Sequence, residues 1–177
     1  MRTLSVALAL AGIVIPVRAT TLERLPLDEM IQKSTAIVRA KVVDSYGAMR
    51  GQDIYTYYRL QVLENLKSTT PQQVDVAVPG GVANGLRQLV AGAPTLNPGG
   101  EYVVFLWTSR SGLTQVIGLS QGLFQIAQDA SGKTVVTRPA ASELMLDSSG
   151  HPVDDKAVIM QLSDLRAQIL KASAGGK

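Results

Sequence analysis

The strongest constraint on the fold of this chain is a succession of short β-prone segments separated by glycine-containing turns. β-Branched and aromatic residues dominate these segments, and most of the segments alternate between apolar and polar positions. The predicted strands cover 35–43, 54–66, 73–78, 101–108, 113–119, 123–127 and 133–136. Few helical stretches interrupt them, so we expect an all-β domain, either a sandwich or a barrel. The 101–108 run is the most apolar and predicts a central strand covered on both faces.

Two helices are predicted at the two ends of this β-rich region. Pro26–Lys33 has a proline in its first turn, followed by two acidic residues, which suits the positive end of a helix. The second helix belongs to the C-terminal segment 151–177. There, Asp154 or Asp155 is expected to cap a helix that runs to about Ala172.

The N-terminus has the pattern of a secretory signal peptide. One arginine precedes the apolar run 4–17, which is too short to span a membrane, and Val17-Arg18-Ala19 fits a signal-peptidase site. We therefore predict cleavage after Ala19, a β-barrel domain over 20–150, and a secreted or periplasmic location. Loss of Arg2 and Arg18 lowers the formal net charge from +3 to +1. The remaining basic residues are scattered, so neither a nucleic-acid partner nor a membrane span is expected.

The residue inventory restricts the chemistry that is open to the chain. It contains no cysteine and a single histidine, His151, in a turn before a proline. A triad or a zinc site would need more groups of this kind, so no catalytic residue, metal or cofactor is predicted. Carboxylates such as Glu64, Glu101 and Asp147 leave a hydrolase as the lowest-ranked alternative.

Two pairs of residues are candidates for binding a partner. Tyr55 and Tyr57 fall on the polar side of their predicted strand, where they are exposed or form ordinary cross-strand pairs. Asn84 and Arg87 follow Gly80-Gly81, in a segment whose glycines indicate turn chemistry rather than a phosphate loop.

Two predicted loops lie beside these candidates. They are Tyr46–Asp53 and Val82–Asn97, and the second has a possible short strand at Gln88–Val90. Loops that adjoin a barrel commonly carry its binding residues, so these two are where a partner is expected.

Part of the strand order resembles a known family. Thr35–Val42 leads to Ile54-Tyr55, to a long strand ending at Leu66-Lys67, and then to Gln73–Val76. This order resembles the netrin-like, OB-type barrel of tissue inhibitors of metalloproteinases. The Gly100–Leu106 strand, with its Gly-Glu-x-x-x-Phe-Leu pattern, also resembles uncharacterised bacterial secreted proteins.

The resemblance implies an OB-like (netrin-like) barrel of five or six strands, with a short N-terminal helix and a C-terminal helix. In the inhibitor family a cysteine at the mature N-terminus chelates the zinc of the protease, whereas this chain has Thr20 at that position. We therefore predict a secreted or periplasmic, non-enzymatic binding module whose partner is a protein. A metalloprotease inhibitor is the first alternative.

Overall fold

The computed structural model describes residues 21–174. The predicted signal peptide and its cleavage site lie outside the described residues. The helices are α1 (Leu27–Lys33) and α2 (Leu162–Ala174), and a short 3-10 helix covers Leu119–Gly122. The strands are β1 (Thr21–Glu23), β2 (Ala36–Arg50), β3 (Asp53–Lys67), β4 (Gln73–Pro79), β5 (Gly81–Ala83), β6 (Leu86–Gln88), β7 (Glu101–Thr108), β8 (Thr114–Val116), β9 (Leu123–Gln128), β10 (Thr134–Arg138), β11 (Leu144–Leu146), β12 (Pro152–Val153) and β13 (Val158–Gln161).

The strands form one large sheet and two small ones. The large sheet has the order β13-β10-β9-β7-β2-β3-β4, with β8 also paired to β7. The small sheets are β1-β11-β12 and the hairpin β5-β6. The β-rich class is confirmed, and the large sheet has eight strands rather than the predicted five or six. Strand β4 lies beside β8, but within residues 21–174 no ladder joins them to close the sheet.

Strands β2 and β7 are central because both of their faces are covered. On one face, Val38 and Val104 pack in a core with Leu60 of β3 and Val76 of β4. On the other face, Ile37, Val103 and Phe105 pack in a second core with residues of α1, α2 and β9. Residues 102–106 are all buried, so the prediction of a central strand is confirmed.

Helix α1 forms where the sequence predicts it. Its first turn carries Asp28 and Glu29, and its inner face buries Met30 and Ile31. Lys67, at the end of β3, donates hydrogen bonds from Nζ to carbonyls at the C-terminal end of α1, including that of Ile31 at 2.6 Å. These carbonyls have no partner within the helix, so the lysine both caps α1 and fixes it to the sheet.

The predicted loop Tyr46–Asp53 is wrong. Strand β2 continues to Arg50 and β3 begins at Asp53, so that Gly51-Gln52 alone form the turn. Gly51 has φ 66° at the first central position, where a two-residue hairpin of type II′ accepts glycine. The segment is polar because it is a two-stranded extension of the sheet with solvent on one side.

The second predicted loop, Val82–Asn97, is partly wrong. It contains the β5-β6 hairpin, and its second strand ends at Gln88 rather than occupying Gln88–Val90. From Leu89 the chain runs without regular secondary structure to the start of β7 at Glu101.

The predicted start of the C-terminal helix is also wrong. Residues 152–161 contribute β12 and β13, and α2 begins only at Leu162. Neither Asp154 nor Asp155 caps it. The Asp155 carboxylate is instead buried against Arg138, with Oδ2 2.6 Å from Nη1 and Oδ1 3.0 Å from Nη2. This ion pair ties the segment between β12 and β13 to β10, and Arg138 also donates to the Lys156 carbonyl at 3.2 Å.

Candidate functional site

A partly exposed group of tyrosines lies on the outer face of β2 and β3. Tyr46 of β2 and Tyr57 of β3 are direct cross-strand partners, and their rings stack with centroids 5.2 Å apart and planes 11° apart. Tyr55 follows on the same face of β3, with its ring centroid 6.3 Å from that of Tyr57. With Arg59 and Asp75, these residues form what we call the tyrosine surface.

A β-bulge places Tyr46 on this face. Val42 pairs with Leu60, but Asp44 pairs with Arg59, so the register shifts by one residue at Val43. From there on, the even-numbered residues of β2 face the same side as the odd-numbered residues of β3. The bulge therefore brings Tyr46 opposite Tyr57 and leaves the Val43 side chain exposed.

A charged network holds the tyrosine surface in place. The Arg59 guanidinium donates from Nε to Oδ1 of Asp75 at 3.0 Å and from Nη2 to Oδ2 at 3.3 Å. Its central carbon lies 5.9 Å from the ring centroid of Tyr46, and the Tyr46 hydroxyl donates to Oδ2 of Asp75 at 3.2 Å. Asp44 adds a second carboxylate, 3.8 Å from Arg59 Nη1.

The network also affects the ionisation of the Tyr46 hydroxyl. Partial burial and the nearby Asp75 carboxylate both raise the pKa of Tyr46 above its ordinary value. A tyrosine is protonated at neutral pH in any case, so the phenol donates its hydrogen bond to Asp75 there, and the shift extends this to more alkaline pH. Arg59 and Asp75 together fix the orientation of the ring.

The β5-β6 hairpin lies on the opposite face of the β2-β3 extension. A Cβ on Gly47 would come within 1.9 Å of the Val82 carbonyl oxygen, and one on Gly81 within 2.2 Å of Oγ1 of Thr56. Thr56 lies between Tyr55 and Tyr57 in β3, so its side chain points away from the tyrosine surface. The backbone of the hairpin therefore packs directly against the side of the sheet that the tyrosines do not use.

The four sequence-predicted binding residues fall on these two separate surfaces. Tyr55 and Tyr57 are half-buried on the tyrosine surface, and Asn84 and Arg87 are exposed on the hairpin. Asn84 and Gly85 adopt φ angles of 52° and 76°, as the two central residues of a type I′ turn require, so the turn interpretation of this segment is confirmed. Tyr46, Arg59 and Asp75 were missed by sequence reasoning.

Groups that could carry catalysis lie apart from one another. Glu64 is paired with Arg166 and Glu101 with Arg39. His151 is 77% exposed and has Asp147 as its neighbour, with Nδ1 and Oδ2 3.7 Å apart. Across residues 21–174, no three histidine, aspartate or glutamate side chains come together as a metal site would require.

None of the helices in the described part of the chain is long and apolar enough to cross a membrane. Comparison of the chain with protein-family models, with curated proteins and with solved structures finds no match.

Proposed function

We propose that this chain is an exported, non-enzymatic binding module that contacts a partner protein through the tyrosine surface. The observation that carries the proposal is the stacked Tyr46–Tyr57 pair, which stands on the outer face of the sheet and is held by Arg59 and Asp75. The N-terminal signal pattern supports export, with the mature chain beginning at Thr20.

The composition of the tyrosine surface favours a protein as the partner. Tyrosine and arginine are the residues most often found at the centre of protein interfaces, because they supply a large contact area for few rotatable bonds. Here the Tyr46 ring and the Arg59 guanidinium are already fixed by Asp75 before any partner arrives. Such pre-organisation reduces the entropy that binding removes.

The arrangement of β2, β3, β4, β7 and β8 supports an OB-like architecture for the module. These five strands curve around the core of Val38, Leu60, Val76 and Val104, and β4 comes to lie beside β8. In OB-like barrels a strand face and its adjoining loops contact the ligand. The tyrosine surface likewise lies on a strand face, which supports the proposal.

Two observations favour a binding module over the alternative activities. The inhibitor family chelates the zinc of the protease through a cysteine at the mature N-terminus, whereas this chain has Thr20 at the proposed start of the mature chain. Hydrolysis by two carboxylates needs them a few ångströms apart across a substrate, whereas Glu64 and Glu101 are each occupied by a different arginine.

Quantitative affinity capture from the envelope fraction of exporting cells tests the proposal. The baits are the wild-type chain, the Tyr46→Ala/Tyr57→Ala variant, and an Ile159→Ser variant as a control, because Ile159 is an exposed apolar residue on β13, away from the tyrosine surface. We expect at least one protein to be retained by the wild type and the control and to be reduced about tenfold or more by the double variant. Identical protein sets on all three baits would refute the role of the tyrosine surface.

A further inference from the structure

A cleft lies between the irregular segment 94–97 and the face of β9 and β10 that adjoins Tyr102 of β7. One side of the cleft follows a single row of the sheet, because Gln125 is the cross-strand partner of both Tyr102 and Thr137. The other side is anchored by Leu96, which is 1% exposed and packs in the same core as Tyr102. The cleft has a volume of about 210 Å³, and we call it the β9-β10 cleft.

The β9-β10 cleft is lined by polar side chains that carry no charge. Among the described residues, those that line it include no aspartate, glutamate, lysine, arginine or histidine. Within residues 21–174, no hydrogen bond involves the side chains of Thr95, Asn97, Ser120, Gln125 or Thr137. Their hydroxyl and amide groups can donate as well as accept. The cleft therefore gathers hydrogen-bonding capacity that the fold itself does not use.

Tyr102 adds a buried donor to this set. The residue is 4% exposed, and its hydroxyl oxygen accepts a hydrogen bond from the Asn97 N–H at 2.9 Å. In the described part of the chain, the hydroxyl hydrogen of Tyr102 has no acceptor. A buried donor without an acceptor costs free energy. Because Tyr102 and Asn97 both line the cleft, a ligand oxygen that enters it can accept this hydrogen bond.

These groups favour a neutral ligand that is rich in hydroxyl groups. A charged group inside the cleft would be left unpaired, because no side chain of opposite sign lines it. Pro94, Leu123 and Pro139 supply apolar surface beside the polar groups. A sugar ring has the matching pattern, with hydroxyl groups around its edge and C–H groups on its faces. Drug-sized ligands occupy about 300–1,000 Å³, so this smaller cleft accommodates one ring.

We infer that the β9-β10 cleft binds one neutral sugar residue. An extended peptide fits the cleft less well, because peptides add to a sheet through a free strand edge, whereas β9 and β10 each have a neighbouring strand on both sides. The cleft also lies apart from the tyrosine surface. Tyr102 packs in the same core as Tyr58, whereas Tyr57, the preceding residue of β3, faces the other side of the sheet.

Chemical-shift mapping by NMR tests the inference without any protein partner. The isotope-labelled protein is titrated to tens of millimolar with glucose, galactose, mannose or N-acetylglucosamine, and with trialanine as a neutral peptide. The variants are Gln125→Ala/Thr137→Val and Tyr102→Phe. The matched control is Gln128→Ala/Thr134→Val, because Gln128 and Thr134 are the other glutamine–threonine cross-strand pair of this hairpin and lie on its opposite face. Thermal unfolding checks that all of these proteins remain folded.

The expected results differ for each variant. At least one of the sugars should shift the amide resonances of segment 94–97 and of β9 in the wild type. Gln125→Ala/Thr137→Val should weaken the binding of that sugar about tenfold or more, because two hydrogen-bonding side chains are removed. Tyr102→Phe should weaken it about threefold through the loss of one buried donor. The control Gln128→Ala/Thr134→Val should bind like the wild type.

Three results would overturn the inference. The first is that none of the sugars shifts the resonances of the β9-β10 cleft. The second is that Gln125→Ala/Thr137→Val weakens sugar binding no more than its control does. The third is a response to trialanine and to none of the sugars, which would assign the cleft to a peptide.

Discussion

The buried Asp155 carboxylate gives a quantitative test of how the segment between β12 and β13 is held. The side chain of Asp155 is 2% exposed and that of Arg138 is 9% exposed. Asp155 also accepts a hydrogen bond from the Ala141 N–H at 2.8 Å. Asp155→Ala leaves the arginine charge buried without its partner, and breaking a buried ion pair in this way costs about 3–5 kcal/mol.

The size of the stability loss in Asp155→Ala distinguishes a buried ion pair from a helix cap. Loss of an N-cap costs only about 0.5–2 kcal/mol, so the free energy of unfolding decides between the two roles. Urea unfolding at pH 7 of the wild type, Asp155→Ala and Asp154→Ala measures it. Asp154 is exposed, and its replacement should change stability by no more than about 0.5 kcal/mol. A loss below about 2 kcal/mol for Asp155→Ala falls in the range of a cap and would refute the buried-pair account.

The pH dependence of stability provides a second, independent measurement on the same pair. Burial by itself would raise the pKa of Asp155, but hydrogen bonds from Arg138 and the Ala141 N–H outweigh it and hold the pKa below its ordinary value. The pair therefore stabilises the protein fully above the unfolded-state pKa of about 3.9, and this contribution is lost as the pH falls through the lower folded-state pKa. The stability gap between the wild type and Asp155→Asn should shrink over that range, and a constant gap would contradict the argument.

Two further substitutions test the packing around the candidate surfaces. Gly47→Ala should destabilise the protein by about 1–3 kcal/mol in urea unfolding, because the new methyl group would meet the Val82 carbonyl oxygen and push the β5-β6 hairpin away. Gln121→Leu should speed amide hydrogen exchange at Leu25, because the buried Gln121 side chain accepts from the Leu25 N–H and donates to the Glu23 carbonyl, both at 2.9 Å. Unchanged stability or unchanged exchange would count against the respective contacts.

The sequence was sufficient to predict the elements whose pattern is local. Strand β4 follows from the alternation of Val74, Val76 and Val78, and the β9-β10 hairpin follows from the Asp129–Gly132 turn. Helix α1 follows from a proline, two acids and an apolar face. In each of these cases the residues that determine the element lie within it or next to it.

The elements that were missed depend on partners distant in the sequence. Asp155 was predicted to cap a helix because nothing in the local sequence shows that Arg138, seventeen residues earlier, will be buried beside it. The bulge at Val43 is likewise invisible in the sequence of β2, because it exists only relative to the register of β3.

One signal could have revealed the tyrosine surface. If Gly51-Gln52 is taken as a two-residue hairpin turn, then Arg50 pairs with Asp53, and counting outward places Tyr46 directly opposite Tyr57. The same kind of counting accounts for the contacts of Arg59 with Asp75, because these two residues are cross-strand partners in β3 and β4. The polar character of 46–53 concealed this register because solvated hairpins and loops share the same composition.

Site-specific photocrosslinking in exporting cells tests the central claim most directly. Benzoylphenylalanine is placed at Tyr55, where it leaves the Tyr46–Tyr57 stack intact, and at Leu170 on α2 as the control. The proposed function predicts a discrete adduct with one protein from position 55 and none from position 170. An adduct from both positions, or none from position 55 while the protein is exported and folded, would contradict it.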